Sequence, residues 1–255
     1  MRPLVLSAVL VGVFLVQGAL HAQNRCSVAD MRGDFATQPI GILTAGPFAG
    51  PFAATGVIHF DGEGRFAGVA TSSFNGGVIF PFDAVGYYDV TPDCFLTLLE
   101  TTLRIAFEGY LSVTKNEVTL FQPDPGAITT NTLRRVLLSN CTNANLKDTF
   151  AIQAVGSNII TGGRFAQNGR VKFDGAGNFT GVTASSIQGE IVRSPITGTY
   201  SVDHECNFKA RFTDKDGVVS HIFGTLFDAG AQFIFIYSED GLVVTGQARR
   251  AVDVN

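Results

Sequence analysis

The sequence of 255 residues lacks tryptophan and has only five tyrosines, although it contains 22 phenylalanines. Carbohydrate-binding surfaces generally use exposed, flat Trp or Tyr rings, so this composition argues against a sugar-binding role. Charged residues make up only 16% of the chain and the net charge is −4, so no concentrated basic field is present. Nucleic acid is therefore a poor candidate partner. The low charge and the 29 glycines are typical of an apolar, turn-rich β protein.

An apolar run from Leu4 to Val16 follows Met1-Arg2 and ends in small residues near Ala22. The run is shorter than the roughly 20 residues that span a bilayer, and a cleavage point follows at Ala22-Gln23. The sequence therefore predicts a signal peptide over residues 1–22; a membrane anchor is the alternative. Cleavage predicts a secreted protein, extracellular or periplasmic, without a membrane span.

Two halves of the remaining chain carry the same motifs. Phe60–Val69 (FDGEGRFAGV) returns as Phe173–Val182 (FDGAGNFTGV). The Asp and Gly residues of this motif are those that a hairpin turn with a bulge requires. We therefore interpret the chain as an internal duplication, with a first unit over residues 23–140 and a second over 141–255.

The four cysteines divide two and two between the units. Cys26 aligns with Cys141, and Cys94 aligns with Cys206. In an exported chain, the simplest arrangement is one disulfide within each unit, Cys26–Cys94 and Cys141–Cys206. Of the three pairings that four cysteines allow, only this one lets each unit close independently.

Extended runs rich in Val, Ile, Phe and Thr alternate with turn residues throughout both units. There are eight such runs per unit, the first lying near residues 34–44 in one and 149–156 in the other. One helical turn precedes each set, near residues 27–32 and 142–147, with Met31 and Leu146 placed to pack inward. The fold class predicted is all-β, with two tandem antiparallel eight-stranded barrels. A two-sheet sandwich is the alternative.

Catalytic and metal-binding residue types are scarce. No CxxC motif is present, and no nearby histidine completes a ligand set with the cysteines. His59 aligns with a lysine and His204 with a proline, which excludes a His-based mechanism common to both units. The sequence therefore predicts no catalytic residue, no metal and no cofactor, although a site in one unit at His59 or His221 stays open.

Two kinds of polar residue recur in both units and are the candidates for ligand binding. Arg135 and Arg250 each end the last strand of a unit, as the second Arg of a pair. Neighbouring strand residues face opposite sides, so one Arg of each pair faces inward, toward either a carboxylate ligand or backbone carbonyls at the barrel mouth. Gln38 and Gln153 recur near the start of each unit and are placed to line a polar pocket.

The cysteines, the Phe-Asp-Gly-x-Gly turn and the Gly-x-Tyr-x-Val segment together carry a resemblance. The segment reads Gly86–Val90 in one unit and Gly198–Val202 in the other. On these motifs the chain resembles secreted bacterial proteins of unknown function that have similar duplicated β-barrel units. It is also similar to allene oxide cyclase-like and lipocalin-like (calycin) barrels in strand number and meander order. The resemblance implies the barrel fold; no cyclase catalytic residue carries over to these positions.

The function predicted is that of a secreted, non-catalytic β-barrel protein. Its partner is either a small apolar molecule or another surface protein. Residues 233–237 are apolar on both strand faces, which predicts packing between the units or a homo-oligomer. The enzyme alternative is an isomerase or cyclase acting on an apolar substrate, and it requires a cavity of several hundred cubic ångströms that holds His59, His221 or an inward Arg.

Overall fold

The computed structural model of the protein describes residues 25–46 and 48–251. The signal peptide predicted over residues 1–22 lies outside them. The described chain is all-β and forms two closed, antiparallel, eight-stranded barrels, which confirms the predicted fold class and excludes the sandwich. Among the described residues, no helix has the length and apolar character needed to cross a bilayer.

The first barrel contains nine strands in eight positions because β1 and β2 follow one another along a single position. Both strands pair with β3 on one side and β9 on the other, and β3 also pairs with β4, so the sheet closes. The strands are β1 (Gly33–Thr37), β2 (Ile40–Leu43), β3 (Gly50–Phe60), β4 (Arg65–Phe74), β5 (Val78–Val90), β6 (Phe95–Glu100), β7 (Ile105–Leu111), β8 (Glu117–Phe121) and β9 (Ala127–Arg135).

The second barrel is a continuous meander in which each strand pairs with the next and the last pairs with the first. Its strands are β10 (Lys147–Asn158), β11 (Gly163–Asp174), β12 (Asn178–Ile187), β13 (Glu190–Val202), β14 (Asn207–Thr213), β15 (Val219–Phe227), β16 (Gln232–Tyr237) and β17 (Leu242–Arg250). The observed strands follow the predicted runs closely in both units.

One predicted strand, near residues 34–44, is wrong because it is divided. The division falls at Gln38-Pro39, where proline has no N–H to donate to a strand ladder. The backbone N–H of Gln38 is shared between the carbonyl of Thr132 (3.1 Å) and the side-chain oxygen of Asn131 (3.1 Å). The second barrel has Gln153-Ala154 at the equivalent place, and β10 runs through it without a break.

One end of each barrel is closed by a short 3₁₀ turn and a disulfide. The turns are Val28–Met31 and Asn143–Asn145, and the side chains of Met31 and Leu146 are fully buried, as predicted. The disulfides are Cys26–Cys94 and Cys141–Cys206, also as predicted. Two intact disulfides indicate an oxidising environment, such as the extracellular space or a periplasm. A third 3₁₀ turn, Asp228–Gly230, joins β15 to β16.

The Phe-Asp-Gly-x-Gly motif forms the turn that the sequence predicted. Oδ1 of Asp174 accepts hydrogen bonds from the backbone N–H groups of Ala176 (2.7 Å), Gly177 (2.9 Å) and Asn178 (2.9 Å). The hydrogen bond from the side-chain amide of Asn178 (2.8 Å), together with these backbone bonds, lowers the pKa of Asp174 to about 2. In the first barrel Asp61 binds the backbone N–H groups of the equivalent turn, and its pKa is lowered for the same reason.

The aromatic residues beside these turns form equivalent clusters in the two cores. In the first barrel, the ring of Phe60 lies 5.4 Å from that of Phe35 and 5.0 Å from that of Tyr88. In the second, Phe173 lies 5.5 Å from Phe150 and 5.1 Å from Tyr200. Each barrel therefore has a core of its own.

The barrels pack against each other through unlike outer faces. The outer side of β15, β16 and β17 covers the outer side of β1, β3 and β4. Ile234 packs with Ala36, and Ile236 packs with Ala53; all four side chains are fully buried. This contact covers the second apolar face of residues 233–237, so the predicted packing between the units occurs.

Candidate functional site

The interiors of the two barrels differ in how completely they are filled. The first barrel contains an apolar cavity of about 80 Å³, whereas the cavity inside the second measures about 30 Å³. The larger cavity has Phe60 and Phe66 near the closed end and Leu43, Phe74 and Leu103 toward the other end. The first barrel is therefore the better candidate for holding a molecule.

The difference in volume follows from residues at equivalent inward positions. Gly86 pairs with Glu100 as Gly198 pairs with Phe212, which aligns β5 and β6 with β13 and β14. In this alignment Ala84 of the first barrel corresponds to Ile196 of the second. The second barrel thus has the larger side chain at Ile196 and a ring at Phe212. Both lie against its small cavity, whereas Ala84 and Glu100 lie against the larger one.

A hydrogen-bonded chain of side chains crosses the second barrel. The hydroxyl of Tyr237 donates to Oε1 of Gln167 (2.6 Å), and the amide of Gln167 donates to the hydroxyl of Ser185 (3.0 Å). Burial raises the pKa of Tyr237 above its ordinary value. In the first barrel, Ala54 pairs with Ser72 as Gln167 pairs with Ser185 in the second. Alanine has no side-chain amide, so the first barrel lacks this series of hydrogen bonds.

Polar groups line the cavity of the first barrel at the β6–β7 turn and on β1 and β9. Glu100 is buried, and its two carboxylate oxygens accept hydrogen bonds from the backbone N–H groups of Thr102 (2.7 Å) and Leu103 (2.6 Å). The side-chain oxygen of Asn131 accepts a hydrogen bond from the hydroxyl of Thr37 (3.0 Å). These oxygens already accept hydrogen bonds from the protein. Glu100 thereby orients the turn between β6 and β7, and the apolar wall is the main surface that a bound molecule would contact.

Aromatic rings surround the open end of this barrel. The ring of Phe74 lies 4.7 Å from that of Phe52 and 5.0 Å from that of Phe48. Phe48 belongs to the loop between β2 and β3 and is 45% exposed. A molecule that enters the cavity from this end would therefore meet apolar rings before the interior.

The structure places Arg135 at the closed end of the first barrel, outside the cavity. Its guanidinium donates to the backbone carbonyls of Arg32 (2.5 Å), Asp30 (2.6 Å) and Lys115 (3.2 Å) and lies 4.5 Å from the ring of Phe35. Burial lowers the pKa of Arg135. The sequence left two partners open for this arginine, a carboxylate ligand or backbone carbonyls. In the structure Arg135 binds backbone carbonyls.

Arg250 occupies the same position in the second barrel with fewer contacts. Its guanidinium donates to the carbonyl of Gly230 (3.4 Å) and lies 3.6 Å from the carboxylate of Asp148. It also lies 5.8 Å from the ring of Phe150. Ligand binding by either arginine stays a prediction.

We expect Arg135→Ala to lower the free energy of unfolding by about 2–3 kcal/mol, because it leaves three carbonyls of the closed end without their charged donor. Arg250→Ala is the matched control and is expected to cost about 1 kcal/mol or less. Urea unfolding of both variants measures the difference. Equal losses would contradict the structural role assigned to Arg135.

Gln38 and Gln153 lie on outer walls. The amide of Gln38 donates to the hydroxyl of Thr245 (2.6 Å) and the carbonyl of Gly246 (2.8 Å), across the contact between the barrels. Gln153 lines an open groove of about 830 Å³ on the outside of the second barrel. A ligand-binding role for these residues stays a prediction.

The histidines also lie outside the barrel interiors. Nδ1 of His59 is 2.7 Å from the carboxylate of Asp34, and both side chains are largely exposed. Nδ1 of His221 is 3.1 Å from the carboxylate of Glu239, whose pKa is raised by burial. Neither interior has the cavity of several hundred cubic ångströms that the isomerase alternative requires. Within the described ranges, no cluster of His, Cys, Asp and Glu is suited to a metal ion.

Comparison with known proteins adds little. No protein-family model matches the chain, and no curated protein matches it. Similar solved structures include a protein of unknown function from the DUF3598 family of Nostoc punctiforme, 9% identical over 87% of this chain and 97% of that one, with a TM-score of 0.25. Kievitone hydratase from Nectria haematococca is 6% identical over 88% of this chain and 92% of that one, with a TM-score of 0.28. TM-scores this low carry no argument about activity.

Proposed function

We propose that the protein is a secreted, non-catalytic binder that holds a small apolar molecule inside its first barrel. The observation that carries this proposal is the apolar cavity of about 80 Å³ in that barrel, at a place where the cavity of the second barrel measures only about 30 Å³. The predicted leader and the two disulfides support an extracellular or periplasmic location.

The cavity volume limits the ligand. An apolar protein cavity of about 150 Å³ holds benzene, whereas drug-sized ligands occupy roughly 300–1,000 Å³. A cavity of about 80 Å³ is about half the size of the one that holds benzene and therefore suits a short aliphatic group. The ligand is then a small hydrocarbon-like molecule, or the apolar end of a longer one whose remainder passes the rings of Phe48 and Phe74.

The test uses 1-butanol and 1-decanol as probes and follows the backbone amide signals of the protein by NMR. We expect both probes to shift signals that surround the first-barrel cavity and to leave those inside the second barrel unchanged. Ala84→Ile introduces the side chain that the second barrel has at the equivalent position, so we expect it to fill the cavity and abolish both sets of shifts. Its fold is checked by circular dichroism.

The matched control is Val85→Ile, which enlarges the neighbouring side chain on the outer wall of the same strand. We expect this variant to bind both probes as the unaltered protein does. Probe shifts centred on the second barrel or the outer walls would contradict the proposal, as would undiminished binding by a folded Ala84→Ile protein.

A further inference from the structure

The contact between the two barrels joins two different surfaces. The first, here called the small face, belongs to the first barrel and consists of short outer residues of β1, β3 and β4 with Gln38 beside them. The second, here called the apolar face, belongs to the outer side of β15, β16 and β17. Gln38 hydrogen-bonds Thr245 across this contact, and the hydroxyl of Ser73 donates to the carbonyl of Leu242 (3.2 Å).

The second barrel carries its own small face, which no other part of the described residues covers. Phe35 pairs with Arg135 as Phe150 pairs with Arg250, which fixes the equivalent positions on the first strands. At four of the positions that contact the other barrel, the residues are identical: Ala36, Gln38, Ala53 and Ser73 in the first barrel are Ala151, Gln153, Ala166 and Ser186 in the second. These four residues of the second barrel line the groove of about 830 Å³. At a further buried outer position of β3 they differ, because Thr55 corresponds to Asn168.

The first barrel carries an apolar face that is also uncovered in the part of the chain that the structure describes. Phe121 pairs with Thr130 as Ile236 pairs with Thr245, which fixes the equivalent positions on the last two strands. Counting back along the last strand, Ile128 then corresponds to Val243. Phe121 is 48% exposed and Ile128 is 69% exposed, whereas Ile236 and Val243 are buried in the contact.

We propose that copies of this protein associate head to tail by repeating the contact between their own barrels. The apolar face of one copy, with Phe121 and Ile128, packs on the small face of the next, with Ala151 and Ala166. Thr130 is a threonine like Thr245, so the amide of Gln153 finds the hydroxyl acceptor that Gln38 has within the chain.

The occupant is a second copy because both halves of the contact recur in this one chain. Since the two faces are unlike, each copy that joins leaves one free face of each kind, and association proceeds beyond a dimer to a ring or a filament. Thr119 stands where the buried Ile234 stands in the second barrel, so the contact between copies buries less apolar surface than the internal one. Association is therefore weaker than the packing within a chain.

Sedimentation velocity of the purified secreted chain over a range of concentrations tests the proposal. We expect the mean sedimentation coefficient to rise with concentration. Ile128→Asp disables the apolar face and Ala166→Arg disables the small face, so each variant alone is expected to remain monomeric. Mixed in equal amounts, the two variants retain one intact face of each kind between them and are expected to form a dimer and nothing larger.

Val218→Asp is the control, because Val218 is 57% exposed on the turn between β14 and β15, outside both faces. This variant is expected to associate as the unaltered protein does. The dimer in the mixture also shows that both variants are folded. A monomer at every concentration overturns the proposal, and so does a mixture that stays monomeric while the unaltered protein associates. Neither substitution alters the cavity of the first barrel, so probe binding there is a separate result.

Discussion

Replacement of Cys141 and Cys206 by alanine is expected to lower the free energy of unfolding of the second barrel by roughly 4 kcal/mol. The disulfide closes a loop of 65 residues, and opening it returns that much conformational entropy to the unfolded chain. Because a folded domain is stable by only about 5–15 kcal/mol, the loss is a large share of the total. Guanidinium unfolding of the oxidised variant, followed by tyrosine fluorescence and circular dichroism, measures it.

The matched comparison is the Cys26→Ala, Cys94→Ala pair, which opens a loop of 68 residues in the first barrel. Since loop length enters only as a logarithm, we expect the two losses to agree within about 1 kcal/mol. A loss below about 1 kcal/mol in both double variants would contradict the role assigned to the disulfides.

Ile234→Asp is expected to destabilise the protein by about 3–5 kcal/mol, because it places an unpaired carboxylate in the contact between the barrels. Ile234 is fully buried there against Ala36 and Phe227. The expected consequence is separation of the barrels, visible as greater protease sensitivity of the segment near Val136 and a lower melting temperature.

The control is Thr119→Asp, which introduces the same charge at the equivalent position of the first barrel. Thr119 is exposed in the monomer, so its substitution is expected to change stability by less than about 0.5 kcal/mol in dilute solution. Similar effects of the two substitutions would show that the contact between the barrels contributes little to stability.

The features that sequence reasoning predicted best are those specified by local chemistry and seen twice. The Asp-Gly turns and the inward packing of Met31 and Leu146 each depend on a few neighbouring residues that recur in both units, and the disulfide pairing followed from the recurrence of two cysteines in each unit. The divided first strand was missed because its cause, Pro39, lies between two runs that are each favourable for a strand. Proline lacks the backbone N–H that a strand ladder uses, so Pro39 was the signal that could have indicated the division.

The candidate site was harder to predict because a cavity depends on the sum of side-chain volumes across several strands. Neither Ala84 nor Glu100 by itself indicates a cavity. The cavity is indicated only when these residues are compared with Ile196 and Phe212, which occupy the equivalent positions of the second barrel. Comparison of inward positions between the two units was the signal that would have found it. That comparison requires the strand register, which the structure supplied.

The contact between the barrels was predicted from one side only. The apolar pattern on both faces of residues 233–237 indicated that Ile234 and Ile236 would be covered. The surface that covers them consists of small residues such as Ala36 and Ala53, which are common on exposed strands as well. Shape complementarity between two folded units, not composition, selects that surface.

Crystals of the protein held under xenon pressure test most directly the claim that the first barrel has room for an apolar molecule and that the smaller cavity of the second does not. Xenon enters apolar protein cavities that contain no water, and its electron density is unmistakable. The account predicts xenon beside Ala84 in the first barrel, none within the second, and none in either barrel of the Ala84→Ile variant. Xenon in the second barrel with none in the first, or in neither barrel, would contradict it.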